Sequence, residues 1–150
     1  MRVLIQRVKR ASVEIDGRVN SQVSNGLLVF VGITNSDTLD DALWLAKKVS
    51  NLRIFDDDDG VMNLSVKEVK GEILIVSQFT LHAKTKKGNR PSYINAAKPD
   101  VAIFIYEKFI EFIESTTLTT PKTGEFGAQM EVSLLNDGPV TIFIDSDNKE

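Results

Sequence analysis

The chain contains no cysteine, which rules out disulfides, thiolate nucleophiles and cysteine-ligated zinc. It has one histidine, His82, so a His-rich metal site is excluded as well. No apolar run approaches the length needed to span a bilayer, and neither common Gly-rich phosphate-binding motif occurs. An excess of positive charge is also missing. With a formal charge of −3 the molecule as a whole does not attract nucleic acid, so any RNA contact must be local and a DNA partner is not expected. These absences, and an opening Met1-Arg2-Val3-Leu4-Ile5 that alternates as a strand does, lead us to expect a cytoplasmic protein with no membrane partner, no metal and no cofactor.

What is present points to one folded unit. Hydrophobic residues make up 42% and charged residues 26% of the 150, ordinary proportions for a globular domain. That length buries a core unaided, so residues 1–150 read as a single domain.

Residues 3–15 alternate and lead into Asp16-Gly17, a hairpin signal, with a second strand expected over 18–23. Asn25-Gly26 turns into Leu27-Leu28-Val29-Phe30-Val31-Gly32-Ile33, apolar throughout. From Asp37 the period becomes helical through Leu39, Ala42, Leu43, Ala46, Val49 and Leu52, with Ser36 or Asp37 available as the cap. Trp44 lies off that stripe, at a rim or facing a partner subunit. Arg53-Ile54-Phe55 is a candidate short strand. Asp56-Asp57-Asp58-Asp59-Gly60 invites a calcium reading, but EF-hand spacing would put Phe55 at the first ligand position and Val66 at the last. It reads as a solvated turn. One helical turn is expected at 66–69, then a strand, Glu72-Ile73-Leu74-Ile75-Val76, buried on both faces. Pro99-Asp100 opens a second helix, Asp100 its cap, with Val101, Ile105, Phe109, Phe112 and Ile113 inward and an end near 115. A loop over 116–124, a strand over 129–135, a turn and a last strand over 140–144 complete the chain. Strands outnumber helices and follow one another, which predicts an α+β domain with a large, curled, barrel-like mixed sheet and two main helices.

Two stretches stand out against that frame. Ser77-Gln78-Phe79-Thr80-Leu81 brings polar side chains to the end of the central strand, where they need hydrogen-bond partners. It is either a satisfied strand terminus or a site. Ser77 and Thr80 are the candidate nucleophiles and His82 the sole imidazole base. In a continuing strand Thr80 and His82 share one face and Ser77 the other, which gives a Ser-His-Asp triad little support. Hydroxyls, amides and backbone groups remain, enough to polarise an activated carbonyl but poorly suited to cleaving a stable amide. The second stretch is Asn136-Asp137-Gly138-Pro139-Val140-Thr141. Only about 5–6% of X-Pro bonds are cis, so the residues alone favour a plain trans turn. The alternative is a rigid wall of exposed carbonyls against a ligand.

Arg7 counts by two onto the face of Val3 and Ile5, either as a frayed end reaching water or as a donor to a distant carbonyl. Lys84, Lys86, Lys87 and Arg90, with Lys98 beyond, are the only basic concentration, a solvated loop or a phosphate contact.

Taken together, Ser77-Gln78-Phe79-Thr80-Leu81 and Asn136-Asp137-Gly138-Pro139-Val140-Thr141 resemble the signature motifs of the D-aminoacyl-tRNA deacylases. The likeness extends through Ile5-Gln6-Arg7-Val8, Met62-Asn63-Leu64, Gly88-Asn89-Arg90-Pro91-Ser92 and Thr123-Gly124-Glu125-Phe126. It implies hydrolysis of the ester joining a D-amino acid, or glycine mischarged on tRNA(Ala), to the terminal ribose of tRNA. It also implies a homodimer in which a cis Gly138-Pro139 enters the partner's site and rejects L-aminoacyl esters, with Arg7 holding that loop. Ser77, Gln78, Phe79 and Thr80 would form the catalytic stretch. Leu81, Ala102, Phe126 and Met130 would bind substrate, the last three receiving the terminal adenosine, and Lys84, Lys86, Lys87 and Arg90 would meet the tRNA backbone. Attack would use Thr80 or, as we prefer, the RNA 2′-hydroxyl with a backbone oxyanion hole. His82 and Gly127 depart from the family's usual residues. Two rival classes are a non-catalytic RNA-binding module that stacks bases on Phe79 or Tyr93, and an esterase for small esters.

Overall fold

The alternating apolar pattern at the start of the sequence forms β1 (Arg2–Ile15), a strand with neighbours on both edges. The computed structural model describes residues 1–149. β1 runs antiparallel to β2 (Arg18–Val23), across the expected hairpin, to β3 (Gly26–Gly32), and to the final strand β8 (Glu131–Asp145). β3 pairs in parallel with β6 (Glu72–Ser77), which pairs in parallel with the short β7 (Lys122–Thr123). β7 returns toward β2, where the Ser21 hydroxyl donates to the Thr123 carbonyl at 2.8 Å. The sheet is therefore curled into a nearly closed barrel. β4 (Phe55–Asp56) and β5 (Met62–Leu64) form a separate small hairpin.

Alternation along the strands divides the buried side chains between two cores. Val3, Ile5, Leu27, Val29, Ile73 and Ile75 face the helices α1 (Leu39–Asn51) and α2 (Pro99–Thr117). Val8, Val13, Val23, Leu28, Leu74 and Val76 fill the barrel. Because β3 and β6 contribute to both, they are apolar without interruption, as strands covered on both faces must be.

The helices begin differently from expectation. Thr38, rather than Ser36 or Asp37, caps α1 in a capping box: its hydroxyl accepts from the Asp41 amide, while the Asp41 carboxylate accepts from the Thr38 amide at 2.9 Å. Asp37 instead lies buried against the Met1 ammonium group, which also donates to Ser146 Oγ at 2.8 Å. In α2, Pro99 occupies the first turn and no side chain caps the end, so Asp100 is helical rather than capping. The helix runs to Thr117, beyond 115. Trp44 is half-buried at the rim, with the Lys48 and Lys149 ammonium groups 5.5 Å and 4.8 Å from its ring centre. β5 and β7 lie in stretches that the sequence pattern left irregular.

Removing the carboxylate of Asp37 leaves the Met1 ammonium buried without a counter-ion, which is costly. Asp37→Ala is expected to lose about 3 kcal/mol of stability in urea unfolding. Asp58→Ala in the exposed turn should stay within about 0.5 kcal/mol of the parent.

Candidate active site

The central strand ends where its polar residues begin. At Gln78 the chain leaves the sheet, its amide still donating to the Val31 carbonyl at 2.7 Å, and coils into a 3-10 turn over Phe79–His82. The strand does not continue to His82, so the face-by-face geometry expected of Thr80 and His82 does not apply. The Gln78 carboxamide donates to Thr80 Oγ1. Among the described residues no group that could accept a proton contacts this hydroxyl. His82 is buried beneath the turn instead of lying beside it. The Phe79 and Thr80 amides start the turn and so have no acceptor within it.

Beside the turn lies a cavity of about 840 Å³. Ser77, Gln78 and Phe79 form one side of it, Ala102 of α2 another, and Phe126 and Met130 a third. The fold brings these six together from three distant parts of the sequence. The Tyr106 hydroxyl donates to the Ile75 carbonyl at 3.0 Å, tying α2 to β6 one turn beyond Ala102. The Tyr106 ring lies 5.7 Å from that of Phe126, and burial pushes its phenol well above the usual range. Thr80 and Leu81 do not line the cavity. The Leu81 carbonyl accepts from Arg2 Nη1 at 2.9 Å.

Tyr93 and Lys98, which the sequence reading did not include among the site residues, also line the cavity. The Tyr93 ring meets Phe79 edge-on at 5.0 Å, and Phe79 is 56% exposed, an unusual state for a phenylalanine that follows a core strand. The sequence signal for Lys98 was its place just before Pro99, at the mouth of α2. Among the described residues Tyr93 and Lys98 are the only ionisable side chains on the cavity wall, and neither is a carboxylate or an imidazole.

Gly138-Pro139 lies elsewhere. The expected turn between two strands is instead a bulge within one, because β8 pairs with β1 on both sides of it. Asn136 stands opposite Val8 and Thr141 opposite Gln6, leaving residues 137–140 looped out across from Arg7. The Gly138-Pro139 peptide is cis, and both residues are exposed. The Asn136 carboxamide closes the bulge, accepting from the Val140 amide and donating to the Val140 carbonyl, both at 2.9 Å.

Arg7, only 6% exposed, braces the bulge from behind. Its Nε donates to the Asp137 carbonyl at 2.9 Å, and its Nη1 to the Ile54 carbonyl at 2.6 Å and Asp56 Oδ1 at 3.3 Å. Of the two sequence readings for Arg7, the structure selects the donor. The bulge does not line the cavity of its own chain.

The basic residues Lys84, Lys86, Lys87 and Arg90 occupy an exposed loop, and among the described residues none of the four forms an ion pair. Paired backbone bonds between Lys84 and Ser92, at 2.8 and 3.0 Å, close its base next to Tyr93. Among the described residues no cluster of His, Asp and Glu could hold a metal ion, and no helix is long and apolar enough to cross a membrane.

Comparison with known proteins adds the following. Residues 4–145 match the family model for D-Tyr-tRNA(Tyr) deacylase. The chain is 61% identical to a D-aminoacyl-tRNA deacylase of Parabacteroides distasonis, and 59% identical to one of Bacteroides fragilis, over the full length of each. Among solved structures it superposes on a "c-Myc DNA Unwinding Element Binding Protein" with a TM-score of 0.91 at 39% identity, covering 97% of this chain and 98% of the other. A structure described as "a probable eukaryotic D-amino acid tRNA deacylase" has the same fold, with a TM-score of 0.80 at 18% identity, covering 95% and 97% of the two chains.

Burial holds the His82 imidazole below its ordinary value of 6.5. A hydrogen bond to the Gly32 carbonyl opposes the shift, nearby Arg2 and the Met1 ammonium add to it, and Asp37 opposes it. The unfolded chain therefore takes up this proton first. The contribution to stability is complete above pH 6.5 and is lost as pH falls from there through the depressed folded value. In urea titrations on either side of pH 6.5, His82→Gln should show a shallower loss of stability on acidification than the parent.

Proposed function

Because the chain belongs to the D-Tyr-tRNA(Tyr) deacylase family and is a hydrolase acting on the ester bond of D-aminoacyl-tRNA, we propose that the 77–81 stretch carries the reaction and Gly138-Pro139 its chiral selection. The observation that carries this reading is the composition of the cavity wall: its polar side chains are hydroxyls, carboxamides and the Lys98 ammonium, and among the described residues it carries no carboxylate or imidazole. A site of that kind suits an ester that is already activated, and little else in hydrolytic chemistry.

Water attacks the ester carbonyl, and the tetrahedral oxyanion is held by the Phe79 and Thr80 amides. The bond to the ribose oxygen then breaks, and the neighbouring 2′-hydroxyl relays the proton that this oxygen takes up. The products are the free D-amino acid and the tRNA. Thr80 is not the nucleophile in this scheme, because its hydroxyl faces a carboxamide donor that cannot take its proton. Ser77 and Gln78 position the substrate and the turn.

Ala102, Phe126 and Met130 receive the terminal adenosine, and the loop carrying Lys84, Lys86, Lys87 and Arg90 meets the RNA backbone. A single basic loop on a chain of net charge −3 suits a local contact with an RNA end better than the many phosphate contacts of a duplex-DNA binder.

Two copies of the chain complete the site. The Gly138-Pro139 bulge of one enters the cavity of the other, and its carbonyls fill the space an L side chain needs. Glycine, with no side chain, passes the same filter, so glycyl-tRNA(Ala) is a second substrate. Three observations support this arrangement: the bulge is exposed, it does not line its own chain's cavity, and Leu134, Leu135 and Phe143 on the same strand are exposed.

The deciding experiment measures amino acid release from matched D- and L-tyrosyl-tRNA. Release of D with L protected is expected. Release of neither would leave a binding module, and equal release of both would remove the filter.

A methyl at Gly138 would stand 2.7 Å from Val140 Cγ2 and from the Val140 amide nitrogen, at a backbone φ of +150° that L side chains rarely adopt. Gly138→Ala should therefore raise the L-to-D rate ratio by about ten-fold or more, roughly the factor that 1.4 kcal/mol of lost discrimination gives. Thr80→Val should cost no more than about ten-fold in kcat, whereas a terminal 2′-deoxyadenosine should cost about 100-fold or more. A collapse of the Thr80→Val enzyme with full activity on the deoxy substrate would make Thr80 the nucleophile after all.

A further inference from the structure

Gly32 ends β3 directly behind the Phe79–His82 turn. A methyl added to it would stand 3.0 Å from the Gln78 carbonyl oxygen, 3.0 Å from Leu81 Cβ and 3.0 Å from His82 Cδ2. Three separate parts of one turn thus rest against a single bare Cα. Gly32 does not have the positive φ that would demand glycine for its backbone. Space is what demands it.

The bonds around this contact fix the turn from the same side. The Val31 carbonyl accepts from the Gln78 amide at 2.7 Å, and the Gly32 carbonyl accepts from the His82 ring. The other ring nitrogen of His82, Nε2, has no hydrogen-bond partner among the described residues, so packing and one hydrogen bond hold the imidazole. From the strand beside Gly32, Arg2 Nη1 reaches the Leu81 carbonyl at 2.9 Å, and Arg2 is itself anchored to Asp145 at 2.7 Å.

We propose that Gly32 is a positioning residue for the deacylation. The absence of a side chain lets the 77–82 turn seat flat on β3, and this seating sets where the Phe79 and Thr80 amides meet the ester carbonyl. The proposal rests on the assignment of that turn as the catalytic stretch. An added methyl must push its neighbours by a few tenths of an ångström, and because the sheet is fixed by its pairing, the turn is the part that yields. A misplacement of 1 Å can cost about 100-fold in rate, so a loss of roughly ten-fold in kcat is expected here.

Gly71 provides a matched control. A methyl there would stand 3.0 Å from Val66 Cγ2, 3.2 Å from the Asn25 carbonyl oxygen and 3.3 Å from Gly26 Cα, with no atom of the turn among its nearest neighbours. Gly32→Ala and Gly71→Ala should both lower the unfolding midpoint. Only Gly32→Ala should lower kcat on D-tyrosyl-tRNA with KM unchanged, and only it should shift the Phe79 and Thr80 amide resonances in a 1H–15N spectrum. Should Gly32→Ala not fold, Gly32→Ala combined with His82→Ala removes the most yielding of the three contacts and should give the same two signatures.

Equal loss of kcat in the two glycine variants, or unshifted Phe79 and Thr80 amides in Gly32→Ala, would overturn the proposal. An inactive parent enzyme would instead overturn the catalytic reading of the turn, while the amide shifts would still report whether Gly32 seats it.

Discussion

Strand β1 is paired along both edges, and the other sheet elements take their places from it. Its first half lies between β3 and β8, and its second half between β2 and β8. Backbone amides and carbonyls buried in this way must be paired. The larger of the two breaks in the β8 ladder is therefore conspicuous: residues 137–140 loop out opposite Arg7. A buried guanidinium replaces the missing ladder bonds, donating to the bulge and to the Ile54 carbonyl behind it. Its planar array of donors suits several acceptors at once, which a lysine ammonium would serve less well. The bulge is thus tied to the sheet behind it, although its two central residues face solvent.

The same sheet delivers the Phe79–His82 turn. β3 and β6 are parallel and buried on both faces, so the strand end at Ser77 is fixed within a rigid layer. The chain then coils at once into the Phe79–His82 turn beside the cavity. Rigid support matters because a site without an acid–base pair depends on position. Hydrogen-bond donors stabilise a developing oxyanion only if they already stand where the charge appears. The Tyr106 bond to the Ile75 carbonyl, the Arg2 bond to the Leu81 carbonyl and the contact at Gly32 all place atoms around this one turn.

Legibility in the sequence followed the range of the interaction. Strands and helices with strong periodicity, such as 3–15 and the stripe through Ile105, Phe109 and Ile113, were readable because their pattern is local. The two-residue β7 was not, since it exists only because β6 offers it an edge. The cap of α1 was misassigned between neighbouring polar residues. Thr38 and Asp41 form the reciprocal pair, while Asp37 is drawn off by a charge 36 positions away. The final strand was divided in two because Gly138-Pro139 looks like a turn, and only pairing with β1 on both sides shows a bulge.

The sequence by itself determined the fold class, the two motif stretches and, through its lack of cysteine and its single histidine, the restriction to hydroxyl, amide and backbone chemistry. Residue type decides those matters wherever the residues lie. Tertiary structure decided that Ser77, Phe79, Ala102, Phe126 and Met130 share one cavity, that Tyr93 and Lys98 join them, and that His82 lies beneath the turn. It also decided between the two readings of Arg7. Each of these depends on contacts between residues tens of positions apart, and the geometry of such contacts is set by sheet pairing and helix packing rather than by any local pattern.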